Sequence, residues 1–132
     1  MIADRWESRR TALARVLLAQ RERAFALFNS EQQAESEKLF RQLGEFMPDD
    51  PDVLAFLGYF SFRRGEASRA AALLERAIAN APPRADLHFN LALALEAAGN
   101  NRAALAQVKT ALTIDAAFDP ARRMMGRLQV GS

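Results

Sequence analysis

Between Pro51 and Phe118 the sequence carries one pattern twice, at a spacing of 34 residues. Leu57-Gly58 returns as Leu91-Ala92, Gly65 as Gly99, Ala70 as Ala104 and Ala77 as Ala111. Asp52/Asp86 and Ala72/Ala106 complete the identities, six of the 34 positions. In an alanine-rich chain that number constrains little, but the placement constrains much. Small residues recur where two helices approach closely, and large apolar ones where they interlock. A glycine recurs where the first helix of each unit stops, because glycine takes the left-handed helix-ending conformation at little cost. The pattern predicts paired helices and an all-α chain.

Residues 4–29 hold neither glycine nor proline and read as one long N-terminal helix. Its middle, Ala12 to Ala19, is apolar nearly all round. One face runs Leu13, Leu17, Gln20, Ala24, Phe28 and another Ala14, Leu18, Arg21, Phe25. A helix with two apolar faces needs cover on more than one side. A second contact is therefore expected, self-association through this helix included. Ser30 with Gln33 fits a capping box, which starts a second helix within residues 30–48. That helix is expected to bury Ala34, Leu39, Phe40, Leu43 and Phe46 before Pro48 stops it. Asp50 then caps a helix whose first residue is Pro51, a favourable pair because proline lacks the amide that would go unmet. Two clean units follow, 51–84 and 85–118. Asp119-Pro120 repeats the cap signal, and Met125-Gly126 stands in frame after Leu91-Ala92. Residues 119–130 are therefore read as a capping helix that shields the last core face. The expectation is one domain, 1–132.

This period and these placements resemble the tetratricopeptide repeat, W-x2-L-G-x2-Y followed by A-x3-F, A and P. Leu54, Leu57-Gly58 and Ser61 stand in the slots of the Trp, Leu-Gly and Tyr. Pro48 falls on the closing proline and Phe40 on the large residue of the second helix. Gln20, Arg23 and Ala24 replace Trp, Leu and Gly, so the repeat ending at Pro48 is degenerate in its first helix. The resemblance implies a right-handed superhelix of about seven helices whose first-type helices line a concave groove. Carried over position by position, the groove takes Arg21, Phe25 and Phe28 from the degenerate repeat. It takes Phe56, Tyr59, Phe62 and Arg63 from the next, and Phe89, Asn90 and Leu93 from the last. Contiguous exposed apolar side chains mark interaction sites. The competing reading packs these aromatics between repeats or under the N-terminal helix.

The implied function is a protein–protein interaction scaffold that holds an apolar peptide or helix of a protein partner. The family's clamp for acidic chaperone tails fits poorly. Arg21 and Asn90 match two of its slots, but Phe25 and Phe56 replace asparagine and Asp86 replaces a cation. Three alternatives stand beside the scaffold reading: a type III secretion-like chaperone, the N-terminal interaction module of a larger enzyme, and a single-stranded nucleic-acid binder using arginine and aromatics. Nucleic acid is disfavoured, because Asp86 and Glu96 share the groove with Arg21 and Arg63.

Composition narrows the chemistry. With no cysteine, disulfides, thiol nucleophiles and zinc fingers are excluded. The single histidine, His88, stands in the packed-aromatic slot with no second ligand near it in the pattern. No nucleophile elbow or phosphate-cradling glycine loop is present. No catalytic residue, metal site or cofactor is expected. The net charge of +2 is spread along the chain, with no run long and apolar enough for a membrane span and no signal-like core after Met1. This reading places the protein in the cytoplasm.

Overall fold

The computed structural model describes residues 2–130, with side chains from residue 4 onward. Met1, Gly131 and Ser132, at the ends of the expected 1–132 domain, lie outside the described residues. The chain is all-α: α1 (Ile2–Asn29), α2 (Gln33–Phe46), α3 (Pro51–Arg63), α4 (Ala67–Ala79), α5 (Ala85–Ala97), α6 (Asn101–Ile114) and α7 (Asp119–Val130). Its contacts divide it into two compact units, 1–48 and 49–132.

In the first unit α1 packs on α2. Ser36, Phe40 and Leu43 form the buried line of α2, at helical spacing. Ala24 of α1 is wholly buried, and Ser36 Oγ donates to its carbonyl oxygen at 2.9 Å. The Phe25 ring meets the Phe40 ring at 5.6 Å. Two expectations fail here. Ala34 is exposed and Phe46 is 67% exposed, because both fall off the line of Ser36, Phe40 and Leu43. The capping box is also absent. Ser30 Oγ donates to the Leu27 carbonyl instead, and α2 begins after Gln32 with no side-chain cap.

A backbone motif takes the place of the box. Glu31 adopts φ 67°, and the amides of Glu31 and Gln32 donate to the carbonyls of Phe28 and Leu27. Gly65 (φ 81°) and Glu66 make the same pair of bonds to Phe62 and Ser61. Gly99 (φ 85°) and Asn100 do so to Glu96 and Leu95. These are Schellman turns, in which a left-handed residue lets two amides meet otherwise orphaned helix carbonyls. Glu31 stands 34 residues before Gly65, so the frame that looks degenerate in side chains is intact in the backbone.

In the second unit α3 pairs with α4 and α5 with α6, while α4 meets α5 and α6 meets α7. The small slots do what their spacing predicts: Ala70, Ala77, Ala104 and Ala111 are wholly buried. A Cβ added at Gly58 would lie 3.2 Å from Leu74 Cγ, so α3 and α4 approach as closely as side chains allow. Asp50 caps α3 as expected, accepting from the Val53 amide at 3.0 Å. Met124 and Leu128 of α7 close the core formed with Ala92, Val108 and Ala111.

Arg84 ties the starts of α3 and α5 together. It donates through Nε and one terminal nitrogen to both Asp86 oxygens, at 3.1 and 2.8 Å, and through the other to Asp52 at 2.9 Å. The paired bonds to Asp86 raise the guanidinium pKa most; partial burial opposes this and Asp52 adds to it. Among the described residues no helix is long and apolar enough to cross a membrane.

Candidate functional site

A cavity of about 230 Å³ opens between α3 and α5. Its floor is Ala55 and Gly58 of α3 with Leu74 of α4. Gly58 occupies the slot that holds Ala24 in the preceding frame and Ala92 in the following one, and its missing methyl lets Leu74 come close to the α3 backbone. Tyr59, Phe62 and Arg63 form one wall, Asn90 and Leu93 the other.

The α3 wall is pre-set. Arg63 donates to the Tyr59 hydroxyl at 2.8 Å across one helical turn, and its guanidinium carbon lies 5.8 Å from the Tyr59 ring centre. This arrangement combines a hydrogen bond with a cation–π contact and limits the ring's rotamers. Phe62 is 37% exposed at the rim. Asn90 is half-buried, and its amide has no side-chain hydrogen bond among the described residues. An unengaged amide beside an apolar cavity can both donate to and accept from a peptide backbone.

Five of the residues read from sequence thus converge on one cavity: Tyr59, Phe62, Arg63, Asn90 and Leu93. Phe56 is half-buried on α3 and does not line it. Phe89 is half-buried and turned toward Phe118, edge to face at 5.7 Å. Arg21, Phe25 and Phe28 belong to α1 in the other unit, where the Arg21 guanidinium sits over the Phe25 ring. Leu74 and Gly58 were legible only as packing residues. The signal for their second role is the glycine itself, which lets Leu74 approach the α3 backbone.

His88 Nδ1 lies 2.7 Å from Gln107 Oε1, a contact between α5 and α6. Among the described residues no cluster of histidine, aspartate or glutamate has the arrangement of a metal site.

Comparison with known proteins gives the following. Residues 61–130 match the tetratricopeptide repeat profile. No curated protein sequence matches at a significant level. The structure superposes on a mutant O-GlcNAc transferase of Thermobaculum terrenum with a TM-score of 0.80 and 26% identity, over 87% of this chain. That match spans 22% of the transferase's length. The first repeat domain of Spaghetti (RPAP3), bound to an HSP90 peptide, superposes with a TM-score of 0.78 and 14% identity, over 87% of this chain and 91% of that domain. The repeat domain of Arabidopsis OM64 gives 0.78 and 12% identity, over 86% of this chain and 94% of that domain.

Proposed function

Because the chain belongs to the tetratricopeptide repeat family, we propose that it is a non-catalytic interaction scaffold whose α3–α5 cavity holds an apolar side chain of a partner peptide. The cavity itself carries this reading: an apolar floor, a tyrosine fixed by Arg63, and an unengaged Asn90 amide beside it. An apolar anchor fills the floor, and Asn90 meets the main chain of an extended segment. The peptide of the Spaghetti domain is not the ligand proposed. Asp52 and Asp86 stand at the starts of α3 and α5, and an acidic tail would meet carboxylates there. A second reading, an interaction module of a larger enzyme, is favoured by the superposition on part of a transferase.

The test uses a peptide selected on the protein from a random display library, with affinity measured by calorimetry. Tyr59→Ala and Phe62→Ala are each expected to weaken binding by more than about 1 kcal/mol, the mark of anchor residues. Their melting temperatures should stay close to the parent's. Affinity should change little between low and moderate salt, whereas binding through several phosphates falls steeply. Unchanged binding with lost stability would place both aromatics in the core and end this reading.

A further inference from the structure

The face that α1 turns to α2 does not end where α2 ends. Ala24 and Phe28 lie on it within the packed region, and the same helical line runs back through Leu17, Leu13 and Trp6 in steps of four and seven residues. With 28 residues α1 is twice as long as α2, so its first half has no second helix of the unit beside it. Trp6 is 65% exposed, Leu13 and Val16 are 55% exposed each, and Leu17 is half-buried.

The charges around this stripe are mostly positive. Arg10 stands on it between Trp6 and Leu13, and Arg5 and Arg9 run along its edge toward Val16. No hydrogen bond or ion pair engages these three arginines among the described residues. Of the acids of this half, Asp4 lies on the polar side with Ser8, Thr11 and Arg15, and Glu7 stands at the opposite edge of the stripe from Arg9, one turn before Arg10.

We propose that the uncovered half of α1 docks an amphipathic helix of a partner protein that carries acidic residues along its edges, laid on the seam beyond α2. Apolar residues of that helix cover Trp6, Leu13, Val16 and Leu17, and its carboxylates meet Arg5, Arg9 and Arg10 in charge-assisted hydrogen bonds. A second copy of α1 fits less well, because it brings the same three arginines to the seam against a single edge acid, Glu7. An anionic lipid surface also fits less well. Helices that lie in membranes keep their cations on the polar face, whereas Arg10 stands within the stripe.

Trp6 is the only tryptophan, so its fluorescence reads the stripe directly. The probes are a helical peptide with leucine at i, i+3, i+4 and i+7 and glutamate on its edges, the same peptide with lysine on its edges, and phosphatidylglycerol vesicles. The glutamate-edged peptide is expected to shift Trp6 emission to the blue and to bind at least tenfold tighter than its lysine counterpart. The double change Arg9→Glu with Arg10→Glu should reverse that preference while helicity is kept, since both side chains are exposed. Phe62→Ala should leave the blue shift intact, separating this surface from the α3–α5 cavity. Equal affinity for the two peptides, or no shift with either, overturns the proposal. So does a shift produced by vesicles alone or by raising the protein concentration alone.

Discussion

Glu31 holds a left-handed backbone that two glycines hold in the later frames. A residue with a Cβ pays roughly 1 kcal/mol for that conformation. Glu31→Gly is therefore expected to raise stability by about that amount, read as a shift of the denaturation midpoint at constant slope. The reverse changes, Gly65→Ala and Gly99→Ala, should each lower it by a similar amount. Nothing lies within 4 Å of an added Cβ at either position, so strain alone would act. If Glu31→Gly lowers stability, the glutamate side chain contributes something that the turn geometry does not show. This position also marks a limit of the sequence. Glycine at 65 and 99 announces the turn through its own conformational freedom. Glu31 announces nothing, because its conformation is imposed by the packing of α1 on α2 and not by local preference. Ser36 is similar: an alanine slot filled by a residue whose hydroxyl is satisfied by the Ala24 carbonyl, a contact that no local pattern encodes.

Among the elements, the paired helices were the most legible part, since small residues at fixed spacing leave helices only one way to approach. Ala77 is wholly buried against Leu54 and Leu87, so Ala77→Leu forces a branched side chain between close helices. A loss of roughly 1–3 kcal/mol is expected, seen as a lower melting temperature; a variant that melts like the parent would mean that the contact has room. The link between the starts of α3 and α5 was not legible, because it depends on where the Arg84 side chain reaches across the fold. Arg84→Lys keeps the charge but cannot fork onto both Asp86 oxygens while also meeting Asp52. The groups are about a third exposed or more, so solvent screens the pair and the expected loss is modest, under about 1 kcal/mol. Equal stability of Arg84→Lys and the parent at low salt would show that charge, not the fork, is what acts there. The cavity wall was legible for a different reason. Tyr59, Phe62 and Arg63 point where the spacing of a first-type helix sends them. Phe89 has the same helical credentials and still turns to Phe118, which lies in the α6–α7 connection, at a position where the preceding unit has Arg84.

For the whole molecule, buried side chains are unequally divided. Among the described residues, 1–48 contain Ala24, Ser36, Phe40 and Leu43 as their buried set, and the other buried side chains lie in residues 49–132. In repeat proteins each unit's stability comes from its own packing and from its neighbours, so a short piece with few buried residues is weak alone. Residues 49–132 contain three layers of alanine and larger apolar partners, closed by α7, and the α3–α5 cavity lies wholly among them. They are expected to fold when produced without residues 1–48, with helical circular dichroism and one cooperative melting transition. Residues 1–48 alone are expected to melt without cooperativity, since helices gain most of their stability from a packed face. A peptide that binds the cavity should keep its affinity for residues 49–132 to within about threefold, which is less than 1 kcal/mol. Loss of the transition would show that the second unit needs the first to fold. A cooperative transition with lost affinity would show that α1 or α2 supplies part of the peptide site, and Arg21, Phe25 and Phe28 would then be the first residues to substitute.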